Sequence, residues 1–104
     1  MVTPSAHDLY HRFVAIIDRA VADKNIYAVP EAAVAAGMTG SEEPRGLGQR
    51  WDYAYSDPTG FTVLVHARWW DQSKPFSIQP DMHIMSVELR SDASLMRHEQ
   101  RYEE

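Results

Sequence analysis

The chain of 104 residues contains no cysteine. That absence excludes disulfide staples, thiolate nucleophiles and cysteine-ligated zinc or iron–sulfur centres, and it fits a reducing compartment. Lysine is scarce, with Lys24 and Lys74 alone. Nucleic-acid backbones are neutralised by lysine and arginine. A chain with 10 basic residues against 15 acidic ones, formal charge −5, is poorly supplied for that task, so nucleic acid is not an expected partner. A basic protein partner or self-association suits the acidic balance better. No apolar run approaches the ~18 residues of a membrane span, and MVTPSAHDLYHRF lacks a basic segment followed by an apolar one. The expectation is a cytoplasmic protein with no membrane segment.

Other chemistries are excluded by missing motifs. The glycines of GMTGSEEPRGLG have neither P-loop nor dinucleotide spacing and no GK[ST] ending. Ser73, Ser77 and Ser86 lie outside any GxSxG elbow. The aspartates Asp52, Asp57, Asp71 and Asp81 do not follow the alternating pattern of a calcium loop and read as turn-capping and solvated groups. No cofactor is implied.

What is present is amphipathic pattern. Ser5 and Asp8 have capping-box spacing, and Leu9, Phe13, Ile16 and Ala20 fall within roughly 60° on a helical wheel. The pattern predicts a long core-facing helix over 6–24, ending at Lys24-Asn25 with Asn25 suited to a left-handed turn. VPEAAVAAG predicts a short second helix opened by Pro30 and closed by Gly37. Glycine, proline and polar residues then predict a flexible loop over 38–48.

WDYAYS and GFTVLVHARWW flank Asp57-Pro58-Thr59-Gly60, a type I turn followed by a left-handed glycine. The turn makes Asp57 and Phe61 the closing pair. Tyr55 then stands opposite Val63, Tyr53 opposite Val65 and Trp51 opposite Ala67, one apolar face. Asp52 opposite His66 and Ala54 opposite Leu64 lie on the other. Asp71 to Asp81 is a connecting loop, MHIMSVELR a third strand, and the residues after Ser91 and Asp92 a terminal helix containing Ala93, Leu95, Met96 and Tyr102. The fold expected is a single α+β domain over 1–104, with a long N-terminal helix, a short second helix, a three-stranded antiparallel sheet and a C-terminal helix.

AAVAAGMTGSEE resembles a helix-turn-helix in pairing an alanine-rich helix with a central glycine, and the α-β-β-β-α order resembles a double-stranded-RNA-binding domain. SEEPRG is acidic and proline-interrupted where a recognition helix presents Arg, Lys, Gln or Asn. The terminal segment has no lysine cluster for phosphates. Neither resemblance carries a nucleic-acid function to this chain.

Three groups of residues could carry chemistry. His66 with Asp52 across the hairpin has the pairing that orients a general base, and His83 joins it if the third strand lies alongside. The bland alternatives are a cross-strand polar pair and a core histidine. His7 and His11, four apart on the first helix, supply half of a tetrahedral metal site without the glutamate of HExxH. Ordinary surface histidines look the same. Trp70, Phe76, Arg68 and His66 together suit an interface, with aromatics giving desolvated area and Arg68 directional pairing. The functional expectation is a small protein-interaction module, inhibitory, adaptor or regulatory, homodimeric or bound to a protein partner. The alternatives are a small-ligand-binding protein or enzyme with a histidine-containing pocket, and a metal-binding protein.

Overall fold

The computed structural model describes residues 4–45, 48–70 and 82–103. Helix α1 spans Ala6–Asp23 and opens where Ser5 Oγ accepts the Asp8 N–H at 3.1 Å, relieving one of the unpaired donors of a first turn. Leu9, Phe13, Ile17 and Ala20 are its buried stripe. The helix closes one residue earlier than the sequence suggests: Lys24, not Asn25, takes the left-handed conformation (φ +51°), and the Asn25 N–H reaches the Ala20 carbonyl at 2.8 Å. Helix α2 spans Ala28–Ala35, with Pro30 in its first turn, and ends as the Met38 N–H donates to the Ala33 carbonyl at 3.0 Å.

The sheet is larger than expected. Five antiparallel strands follow in chain order, β1 Thr39–Arg45, β2 Gly48–Ser56, β3 Thr62–Trp70, β4 Met82–Arg90 and β5 Leu95–Glu103. Two expectations are thereby corrected. Residues 39–45, assigned to the 38–48 loop, form edge strand β1, in register from Thr39 opposite Ala54 to Arg45 opposite Gly48. Glycine and proline disfavour a strand by propensity, but an edge position tolerates both. Gly40 fits its place for a steric reason: a Cβ there would lie 1.9 Å from Tyr53 Cδ1 and 2.6 Å from the Asp52 carbonyl oxygen.

The second correction is at the C-terminus, where LMRHEQRYE is strand β5 and not a helix. Its Glu, Gln and Arg residues are good helix formers, yet tertiary contacts decide. Tyr102 is buried and its hydroxyl accepts the Ile26 N–H at 3.1 Å, while His98 Nε2 lies 2.7 Å from Asp18 of α1. Gln100 between them also reaches Asp18, at 3.4 Å; a strand points all three to one side, whereas a helix would turn Gln100 away from the other two.

The β2–β3 hairpin follows the predicted register, with Tyr55 opposite Val63, Tyr53 opposite Val65 and Trp51 opposite Ala67. Gly60 has φ +92°, which only glycine adopts without strain. Asp57 does more than cap this turn. Its Oδ1 accepts from the Thr59 hydroxyl at 2.6 Å and from the N–H groups of Thr59 and Phe61, while Oδ2 accepts the Ala6 N–H at 2.8 Å. With Tyr55 donating to the Pro4 carbonyl at 2.7 Å, the hairpin tip fastens the start of α1 to the sheet. The Thr59 hydroxyl first, and then these backbone donors, hold the Asp57 carboxyl down at about 2.

Both helices lie on one side of the sheet. Their apolar residues pack with Trp51, Tyr53, Val63, Val65, Ala67, Met85, Val87, Leu89 and Tyr102 in one core. Among the described residues no helix is long and apolar enough to cross a membrane.

Candidate functional site

The residues between those core positions face the side opposite α1 and α2. Strand pairing aligns Ser41, Asp52, His66, Ser86 and Glu99 in one transverse row, opposite one another in turn across all five strands. A neighbouring row carries Arg50, Arg68, Ile84 and Arg101, and a third carries Ala54, Leu64, Glu88 and Arg97. Because side chains alternate along a strand, this composition is confined to one face.

Asp52 joins two partners on it. Its Oδ1 lies 2.5 Å from His66 Nδ1 and its Oδ2 lies 2.7 Å from Arg50 Nε. Partial burial, the largest single influence, raises its pKa, but the hydrogen bonds and charges of His66 and Arg50 together outweigh that and hold the carboxyl below its ordinary value. An ionised carboxylate only accepts, so the shared proton sits on His66 Nδ1, leaving Nε2 for other partners. Farther along, Glu99 pairs with Arg97 at 2.8 Å and Arg101 at 3.0 Å, and Arg97 also lies 3.9 Å from Glu88.

Arg68 differs from its neighbours. It is exposed on the central strand, directly opposite Arg50, and among the described residues it has no ion-pair or hydrogen-bond partner. Like charges facing across a strand pair repel, and the nearby Asp52 is already shared by Arg50 and His66. Around Arg68 the face dips into a shallow depression of about 200 Å³, lined by His66, Ile84 and Ser86 and edged by Arg50 and Glu99.

The structure keeps the Asp52–His66 pair and separates His83 from it. His83 stands opposite Trp69, not beside His66, and is buried on the helix-covered face. Its ring stacks on Tyr102 at 4.4 Å and lies nearly parallel to Trp69 at 6.2 Å. The sheet itself divides the two histidines, so a pocket formed by both is not available. Ser86, which the sequence placed in no motif, is the residue opposite His66. No hydrogen bond joins them among the described residues, so the nucleophile-to-base contact of acyl transfer is not made.

His7 and His11 are exposed on α1. His7 packs edge-on against Phe61 at 4.5 Å and His11 edge-on against Tyr10 at 5.3 Å. Among the described residues no group of three or more histidines and carboxylates is placed to hold a metal ion. The backbone register sets Trp70 opposite Gly48 and Met82. Its side chain, and Phe76 with the whole 71–81 connection, lie outside the described residues.

Sequence reasoning missed Glu99 and Arg97 as members of this face because it coiled them into a helix. A signal was present. Arg97, Glu99, Arg101 and Glu103 alternate in charge two residues apart, a spacing that shares a face in a strand and not in a helix. No protein-family model, no curated protein and no solved structure matches the chain.

Proposed function

We propose that this chain is a small cytoplasmic interaction protein that engages a protein partner through the sheet face opposite α1 and α2, with Arg68 and His66 at the centre of the contact. The observation that carries the reading is Arg68 on the central strand, opposed by Arg50 and without a carboxylate of its own among the described residues. An acidic group supplied by the partner relieves that repulsion and pairs with the guanidinium in a directed way.

Size favours a protein over a small molecule. The depression of about 200 Å³ is below the ~300–1,000 Å³ of typical ligand pockets. Five strands of up to nine residues present a face on the order of 700 Å² at ordinary strand spacings. That is close to the ~800 Å² that each partner contributes to a standard interface.

A second reading, a ligand-binding or proton-transfer site, is favoured by the Asp52–His66 hydrogen bond with Ser86 alongside. The two are separated by native mass spectrometry of the protein isolated from the cells that make it, as wild type and as Arg68→Glu. A retained protein chain that is lost in Arg68→Glu at unchanged Tm supports the interface. Retention of a small molecule by wild type, lost in His66→Gln, supports the second reading. A bare wild-type monomer contradicts both.

A further inference from the structure

On the helix-bearing side a second feature is independent of Arg68. Between α2 and the edge of the sheet runs an apolar groove of about 400 Å³, lined by Tyr27, Pro30, Val34 and Trp51 and by two carboxylates, Glu31 and Glu42. No cation lines it. Tyr27 and Val34 are 54% and 63% exposed, large values for apolar side chains that have a helix to hide behind. The Tyr27 and Trp51 rings meet edge to face at 5.7 Å. Glu42 acts on this side: burial first, and then its charge, raise the Tyr53 phenol above its ordinary pKa. Alongside lies β1, which pairs with β2 alone in the described sheet and has one edge of backbone donors and acceptors open.

We infer that this groove and the free edge of β1 together bind an extended basic peptide segment of a partner protein. The segment adds to β1 by main-chain hydrogen bonds, as exposed sheet edges accept strands. Alternate side chains then enter the groove. An arginine or lysine lies between Glu31 and Glu42 over the Tyr27 ring, combining ion pairing with a cation–π contact. An apolar neighbour covers Val34 and Pro30. The charge argues against a second copy joined edge to edge through β1, since a second Glu42 would bring another carboxylate to an already acidic groove. The site lies on the opposite side of the sheet from Arg68, so both surfaces can be occupied at once.

The test is an NMR titration of the ¹⁵N-labelled full chain with the peptide acetyl-Val-Arg-Val-Arg-Val-amide, and with the same peptide carrying glutamate for arginine. Binding by the basic peptide is expected to shift the Trp51 indole N–H and the backbone amides of 39–42. The Glu31→Gln/Glu42→Gln double variant, altered only at exposed positions, is expected to bind about tenfold more weakly, while Arg68→Glu binds as wild type does. The inference is overturned if the basic peptide produces no shifts up to about 1 mM, if the acidic peptide binds equally well, or if the double variant retains full affinity. Groove resonances that move with protein concentration alone assign the site to a second copy and overturn it too.

Discussion

On β3, Val63, Val65 and Ala67 lie beneath the helices with at most 1% of their surface exposed, while the alternate residues Leu64, His66 and Arg68 face the opposite side. The two faces share every strand and every backbone hydrogen bond, and differ only in alternate side chains. Full burial of a Val, Leu or Phe side chain contributes roughly 1.5–3 kcal/mol. An ion pair about one-third exposed, such as Asp52 with Arg50, contributes about 0–1 kcal/mol. Stability is therefore concentrated on one face, and the other can arrange charge for a partner at little cost to the fold.

The largest effect expected from breaking this contrast is in the core. Phe13→Ala empties a fully buried site between α1 and the sheet and should cost about 3–5 kcal/mol. Chemical denaturation measures it, and Arg68→Ala in the same assay should stay within about 0.5 kcal/mol of wild type. Gly40→Ala comes next, at about 1–3 kcal/mol, because its Cβ meets both the Tyr53 ring and the Asp52 carbonyl. Hydrogen exchange should locate the loss in β1, with the β3–β4 amides unchanged.

Acid sharpens the comparison at a third position. Asp57 ionises at about 2 in the folded chain, against about 3.9 for an unfolded aspartate. Its folded-state pKa is depressed, so its stabilisation is complete above the unfolded value and is lost as pH falls toward the folded one. Between about pH 4 and pH 2 the Tm of wild type should drop more steeply than that of Asp57→Asn, which starts lower at neutral pH. Asp52 is shifted in the same direction, but on the open face. Asp52→Asn should cost about 0–1 kcal/mol, and its clearer consequence should be a change in the His66 Nδ1–H resonance as the ionic acceptor is lost.

The helix-covered face was legible where apolar periodicity and turn chemistry agreed. Leu9, Phe13 and Ala20 marked α1, and Asp57-Pro58-Thr59-Gly60 set a hairpin register that places Asp52 beside His66. Strands β1 and β5 were not legible by the same rules, since neither has an apolar face of its own. β1 owes its place to pairing with β2 and to the missing side chain of Gly40. β5 owes its place to pairing with β4, to Tyr102 in the core and to contacts from His98 and Gln100 to Asp18. These interactions join residues far apart in sequence, which local propensity does not see. For the same reason Asp52, His66 and Arg68 of the opposite face were recognised, while Arg97 and Glu99 were not. His83 shows the converse limit. Its alternation with Met85, Val87 and Leu89 placed it on an apolar face, but only the β3–β4 register sets it opposite Trp69 and across the sheet from His66.

We propose that a protein partner contacts the sheet face opposite the two helices. This contact is tested most directly by placing a photo-cross-linking amino acid at position 68, and separately at the exposed position 12 on the outer side of α1, in the cells that make the protein. An adduct of defined mass to one protein species is expected at position 68 and none at position 12. Adducts at position 12 alone, or the same adducts at both, would contradict it.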